Sequence, residues 1–268
     1  MSDQLRFAAA ADGCRIAYRV TSAAPGAPRV VLIHSLALDH RFWNAVVEEA
    51  AGRFEMLTLD CRGHGASTAM GPFTADLMAN DLAAVLNDAG WGSAIIAGAS
   101  MGGSVALAFA ARHPARTRAL LAIDTTAWYG ATAPADWARR AGMAEAGVMA
   151  ALLEFQRARW LSDAFRAAHP EVQAAQEAIF LAMPTDAYAA ACAMLGDLDL
   201  RAAVTGINAP TAVLVGEEDG ATPPAMARDI ASRITGATLT VLPGARHLTP
   251  LERPREVVEA LAALAQVT

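Results

Sequence analysis

The chain predicts an α/β architecture: a mostly parallel central sheet flanked by helices, with a helical lid inserted into it. Three observations carry that prediction. Short β-rich runs alternate with alanine-rich helical runs along most of the chain, the rhythm of strand–helix–strand units whose strands pair in parallel. Val30-Val31-Leu32-Ile33 is a continuous apolar run, as expected of a strand covered by helices on both faces. From about Trp128 to about Ala203 no convincing strand occurs, and the alternation resumes afterwards without a linker.

In chain order, Arg15 to Val20 reads as a strand and Val30 to Ile33 as the next. Phe42 to Ala51 looks helical, and Glu55 to Leu59 is again a strand. Thr74 to Asp88 is amphipathic, with Thr74 placed to cap its first turn. Ser93 to Ala97 reads as a strand, Ser104 to Ala110 as a helix and Arg118 to Asp124 as a strand. Within the interrupted stretch Met143 to Arg159, Pro170 to Met183 and Asp186 to Leu195 look helical. Thr211 to Val215 and Thr238 to Leu242 are two further strands, and Pro254 to Ala265 closes as a helix with Pro254 in its first turn. The expected division is a core of residues 1–127 and 204–268 and a helical cap of residues 128–203. That cap leaves the carboxyl end of a strand, where ligands bind in open α/β sheets, so it would lie as a lid over a site there.

Composition narrows the function classes. Hydrophobic residues make up 54% of the 268 positions and charged ones 18%, which allows a large core and argues against disorder. Net charge is −6 and no basic run exceeds Arg139-Arg140, so no nucleic-acid partner is expected. Met1-Ser2-Asp3-Gln4 opens no basic and then apolar leader. No stretch of about eighteen apolar residues suggests a membrane span. Three widely spaced cysteines, Cys14, Cys61 and Cys192, form neither a disulfide nor a metal pattern. They read as small core residues of a protein in a reducing cytoplasm. Zinc-ligand spacing and a Gly-x-Gly-x-x-Gly fingerprint are both missing, so neither metal nor cofactor is expected.

The chemistry starts at Gly98-Ala99-Ser100-Met101-Gly102. Gly-x-Ser-x-Gly between a strand and a helix is a nucleophile elbow. The turn is so sharp that only small residues fit beside the serine, and its hydroxyl is lifted clear of the sheet edge. A serine hydroxyl needs a base, and the base needs an orienting partner. Of the six histidines, only His247 follows the last strand. The chain order serine, acid, histidine then calls for a carboxylate after the strand Thr211 to Val215, where Glu217-Glu218-Asp219-Gly220 stands. Asp219 is the choice, with Glu217 and Glu218 as lesser candidates. The oxyanion needs donors, expected from the backbone N–H of Met101 and, in the loop His34-Ser35-Leu36-Ala37-Leu38, that of Leu36.

These residues resemble the α/β-hydrolase superfamily over nearly the whole chain. Within it, several motifs look like those of 3-oxoadipate enol-lactonases. Ser35-Leu36 stands where those enzymes tend to have Ser-Leu and many relatives have His-Gly. Asp60-Cys61-Arg62-Gly63-His64-Gly65-Ala66-Ser67 matches a stretch common to the superfamily, which makes His64 structural rather than catalytic. Trp137, Arg140 and Arg159-Trp160 fall where the lactonase lid carries similar residues, and Tyr188 to Cys192 with Asp199-Leu200-Arg201 resembles the end of that lid. Glu218 to Pro224 resembles the lactonase acid loop. Met101, His34 and His247-Leu248-Thr249 depart from the lactonase pattern and leave the substrate open.

The resemblance implies serine-dependent hydrolysis of a small carboxylated enol-lactone in aromatic catabolism. Arg140 and Arg159 would clamp the substrate carboxylate, and Trp137 and Trp160 would line the site. The plainer alternatives are arginines facing solvent and tryptophans that only pack the lid. Other chemistries on the same triad stay open: a general carboxylesterase, a meta-cleavage C–C hydrolase and a cofactor-free perhydrolase. A ligand-binding protein on a hydrolase scaffold is the non-enzymatic alternative.

Overall fold

The computed structural model describes residues 4–147 and 149–267. Eight strands form one sheet: β1 (Arg6–Ala9), β2 (Arg15–Thr21), β3 (Arg29–Ile33), β4 (Glu55–Leu59), β5 (Ala94–Ala99), β6 (Thr117–Ile123), β7 (Thr211–Gly216) and β8 (Thr238–Leu242). Their order is β1-β2-β4-β3-β5-β6-β7-β8. β2 pairs antiparallel with both β1 and β4, and every pairing from β4 to β8 is parallel. Strands β5 and β7, each paired on both sides, are buried at every position, which is why they read as near-continuous small and apolar runs rather than alternating ones.

Helices cover both faces. α1 (Asn44–Ala50) packs with α11 (Pro254–Gln266) on one face, and α2 (Ala75–Asp88) with α3 (Met101–Arg112) on the other. Thr74 caps α2 as expected, its hydroxyl accepting from the Leu77 N–H at 3.0 Å. The Phe42 to Ala51 segment is tighter at its start, a 3₁₀ turn over His40–Trp43 before α1 begins. Asp39 explains the tight turn, because its side chain accepts from the N–H of Arg41. β1, α9 (Pro224–Arg233) and the short α10 (Thr249–Glu252) are elements beyond those expected from sequence.

Between β6 and β7 the described chain runs through α4 (Ala133–Gly147), α5 (Leu153–Trp160), α6 (Asp163–Ala168), α7 (Pro170–Leu181) and α8 (Thr185–Gly196). The expected Met143 to Arg159 helix crosses residue 148, which lies outside the described residues. On either side of it α4 and a 3₁₀ turn over Met149–Leu152 replace a single helix. α4 starts earlier than expected, with Pro134 in its first turn, and packs along α8. The segment leaves and rejoins the sheet at one place: Trp128 bridges Asp199, and the Leu200 N–H donates to the Ala127 carbonyl at 2.8 Å. Among the described residues no single helix is long and apolar enough to cross a membrane.

Candidate active site

Ser100 sits between β5 and α3 with φ 55° and ψ −120°, a left-handed backbone that only a strongly constrained non-glycine residue keeps. Both flanking glycines are required by contact. A Cβ on Gly98 would stand 2.1 Å from the Gly102 carbonyl oxygen, and one on Gly102 would stand 2.2 Å from that of Ile33. The second approach presses the first turn of α3 against the end of β3, and so against the loop that carries Ser35 and Leu36. The elbow is also pinned to the β6 end. Ser100 N–H donates to the Ile123 carbonyl at 2.9 Å, and the Thr125 hydroxyl donates to the Ser100 carbonyl at 2.7 Å.

The three residues chosen for order along the chain meet in space. Ser100 Oγ lies 2.9 Å from His247 Nε2, and His247 Nδ1 lies 2.8 Å from Asp219 Oδ2. A carboxylate only accepts, so Nδ1 carries the proton toward Asp219 and Nε2 offers its lone pair to the serine hydroxyl. Asp219 also accepts at Oδ1 from the N–H groups of Ala221 (2.7 Å) and Thr222 (2.9 Å), and at Oδ2 from the Thr222 hydroxyl (2.8 Å). Burial alone would raise its carboxyl pKa. The His247 charge and these hydrogen bonds outweigh burial and hold it below the ordinary value. Glu217 and Glu218 are exposed and turn elsewhere, toward the Gly244 N–H and the Arg246 guanidinium.

Ser100 and His247 open onto a cavity of about 410 Å³. Leu36 lines it, and so do all four cap residues singled out from sequence: Trp137, Arg140, Arg159 and Trp160. Met101 is buried at the start of α3, so its N–H has no carbonyl one helical turn earlier to bond. Arg140 donates from Nε to the Tyr188 hydroxyl at 2.5 Å and stacks on Trp137, 4.8 Å from the ring centre. Arg159 donates to the Gly220 carbonyl at 2.5 Å. Phe155 stands between the two cations, its ring centre 5.4 Å from Arg140 and 4.6 Å from Arg159. Among the described residues neither guanidinium pairs with a carboxylate. Burial and then the Arg140 charge lower the pKa of Arg159. Both effects describe a cation short of compensating charge. Trp160 is buried against Phe180, with ring centres 5.4 Å apart, so it packs the cap as well as walling the cavity.

Sequence reasoning missed several lining residues: Tyr129, Phe155, Gln156 and Thr222. Helical spacing could have found two of them, since Phe155 and Gln156 precede Arg159 and Trp160 by one turn of α5. His64 lies away from the cavity. It is fully buried beside His34, with ring centres 5.0 Å apart. Asp39, His40 and Asp60 bring three ligand-type atoms within 4.8 Å of one another. Their donors and acceptors are engaged with each other, with Arg41 and with backbone N–H groups.

Known proteins share this fold. A family model described as the alpha/beta hydrolase family matches residues 30–260. The chain is 26% identical over 238 residues to 3-oxoadipate enol-lactonase 2 of Acinetobacter baylyi, covering 88% of each. It is 30% identical to the pimeloyl-[acyl-carrier protein] methyl ester esterase of Chromobacterium violaceum, covering 88% of this chain and 93% of that one. The crystal structure of the enol-lactonase from Burkholderia xenovorans superposes with a TM-score of 0.92 at 31% identity, covering 97% of this chain and all of that one. A sheet that lifts a strained serine onto a cavity under helices, matched along most of its length, makes this chain a hydrolase belonging to the alpha/beta hydrolase family.

Proposed function

We propose that the protein hydrolyses a small carboxylated enol-lactone or ester, in the manner of the 3-oxoadipate enol-lactonases, with Ser100, His247 and Asp219 as its catalytic triad. One observation carries the reading: an unbroken Ser100–His247–Asp219 contact opens onto a cavity walled by two arginines that lack carboxylate partners among the described residues. Ser100 Oγ attacks the acyl carbon while its proton passes to His247 Nε2. Asp219 holds the imidazole in place and stabilises the imidazolium. The N–H groups of Leu36 and Met101 stabilise the tetrahedral anion. The acyl C–O bond then breaks, and His247 returns the proton to the leaving oxygen. In the second half His247 deprotonates a water that attacks the acyl carbon, the bond from that carbon to Ser100 Oγ breaks, and His247 returns the proton to Oγ as the acid leaves. Arg140 and Arg159 hold the substrate carboxylate, which supplies the missing negative charge. Residues 128–203 act as the lid that carries these arginines over the core formed by residues 1–127 and 204–268.

A second reading has its own support. Phe155 and Met143 line the cavity yet are 43% and 46% exposed, an apolar rim that suits the alkyl chain of an ester. Turnover of 3-oxoadipate enol-lactone and of p-nitrophenyl acetate, each with wild type and Ser100→Ala, separates the two. Fast serine-dependent loss of the lactone with poor ester cleavage is expected. Carboxylated lactones turned over no better than p-nitrophenyl acetate would assign the site to esters.

A further inference from the structure

Most buried carboxylates in this molecule face a cation. Arg62 holds Asp81 through two bonds of 2.7 Å, and His40 Nδ1 reaches Asp60 at 2.7 Å. Asp124, 0% exposed, and Glu252, 6% exposed, are different. Their carboxylates meet only backbone N–H groups and hydroxyls among the described residues. A carboxylate buried without a cation is costly unless donors saturate its oxygens. Asp124 adds a backbone cost, with φ 45° in the left-handed region. Both residues grip the same short segment, the loop that carries His247.

We propose that Asp124 and Glu252 are positioning residues that clamp the His247 loop from two sides, one to the sheet and one to the cap, and so keep Nε2 aligned on Ser100. The inference rests on the triad reading above. On the sheet side, Asp124 Oδ2 accepts from the Thr249 N–H (2.9 Å) and hydroxyl (2.8 Å), while Oδ1 accepts from the Gly216 N–H (3.0 Å). Gly216 ends β7 and leads into Asp219. A single carboxylate at the end of β6 therefore fixes the acid loop and the base loop relative to each other. On the cap side, Glu252 Oε1 accepts from the N–H groups of Arg246 (2.9 Å) and Ser162 (3.2 Å), and Oε2 from the Ser162 hydroxyl (2.5 Å). Ser162 follows α5, which carries Arg159 and Trp160. Between the two clamps, the Leu248 N–H donates to the Trp160 carbonyl at 2.9 Å. Neither Asp124 nor Glu252 lines the cavity, so neither touches substrate.

The two clamps respond differently to an isosteric amide. At Glu252 both main-chain donors go to one oxygen, so a glutamine satisfies them and turns its NH₂ to the Ser162 hydroxyl. At Asp124 each oxygen takes a main-chain N–H, so either orientation of an asparagine sets its NH₂ against a donor. The test measures kcat and KM for p-nitrophenyl acetate, per folded protein, in Asp124→Asn, Glu252→Ala, Glu252→Gln and Thr249→Val. Asp124→Asn and Glu252→Ala are expected to lower kcat about ten-fold or more with KM within about two-fold, the signature of misplaced chemistry rather than lost binding. Glu252→Gln should restore most of what Glu252→Ala loses. Thr249→Val, which keeps the main-chain bond, should fall between wild type and Asp124→Asn. Unchanged kcat in Asp124→Asn or Glu252→Ala, however far Tm drops, overturns the proposal. So does a Glu252→Gln as impaired as Glu252→Ala. If Asp124→Asn does not fold, unchanged kcat in Thr249→Val overturns the sheet-side clamp. Ser100→Ala run in parallel separates the layers: retained turnover there sinks the triad reading itself, while lost turnover with intact clamp variants sinks only the clamp.

Discussion

Asp219 is set apart from its two acidic neighbours by backbone reach, not by charge. Glu217, Glu218 and Asp219 follow β7 in succession, yet only Asp219 turns inward, where it accepts the Ala221 and Thr222 N–H groups. Those bonds fix its Oδ2 on His247 Nδ1. Glu218, 49% exposed at its side chain, lies 3.5 Å from Arg246 in water-screened contact. Asp219→Asn is therefore expected to lower kcat by about three to four orders of magnitude, the size seen when a triad loses its acid. Glu218→Gln should change it less than about two-fold, because the pair it breaks is exposed. Steady-state assays on both variants decide the assignment, and the reverse pattern would move the acid to Glu218. At this scale the meeting of Ser100, His247 and Asp219 was legible because motif, chain order and strand ends constrain it together. The places of Thr222, Tyr129 and Asp124 were not, since they depend on through-space neighbours that no local spacing encodes.

The helices over the cavity turn single residues into a wall. α5 places Phe155 and Gln156 one turn before Arg159 and Trp160, so one short helix presents an aromatic ring, an amide, a cation and an indole to the same cavity. α4 does likewise with Trp137 and Arg140, and the bond from Arg140 to the Tyr188 hydroxyl ties it to α8. Arg140→Ala or Arg159→Ala is expected to raise KM for a carboxylated lactone about ten-fold or more, the range for losing a charge-assisted contact. KM for p-nitrophenyl acetate should move less than about two-fold, since the truncation removes no bond to a neutral ester. Equal shifts for both substrates would show that these arginines only pack the cap. The strands were legible because apolar runs covered on both faces leave a continuous signal. The bounds of α4 and α5 were not. Alanine-rich sequence favours helix throughout this stretch but marks few ends, and the break around Met149–Leu152 carries no proline or capping residue. The four-residue β1 is too short to show a period.

Buried neutral histidines sit beneath the loops that leave two neighbouring strands, β3 and β4, and that makes the stability of the whole molecule depend on acid. His34 Nδ1 donates to the Ser35 carbonyl at 2.7 Å, and its Nε2 accepts the Cys61 N–H at 2.9 Å, linking the loops that follow β3 and β4. His64 Nδ1 donates to the Arg62 carbonyl at 3.0 Å, while its Nε2 is buried without a hydrogen-bond partner among the described residues. Protonation would set a second N–H of His34 against a donor and leave a charge on His64 far from water. Burial first, and then the neighbouring His34, pushes the pKa of His64 down from 6.5 to about 3, and burial lowers that of His34 as well. Below 6.5 the unfolded chain takes up protons that the folded one refuses, so stability present at neutral pH is lost as pH falls from 6.5 toward 3. Asp60, held at about 2 against its burial by His40 and the Ala66 N–H, adds a further loss only below its ordinary value of 3.8. Lowering the pH from 7.5 to 5 should therefore cost about 2 kcal/mol from His64 alone. Urea titrations followed by fluorescence of the five tryptophans measure it, and His64→Gln should flatten the dependence relative to wild type. Equal stability at the two pH values would mean that these histidines accept protons inside the fold.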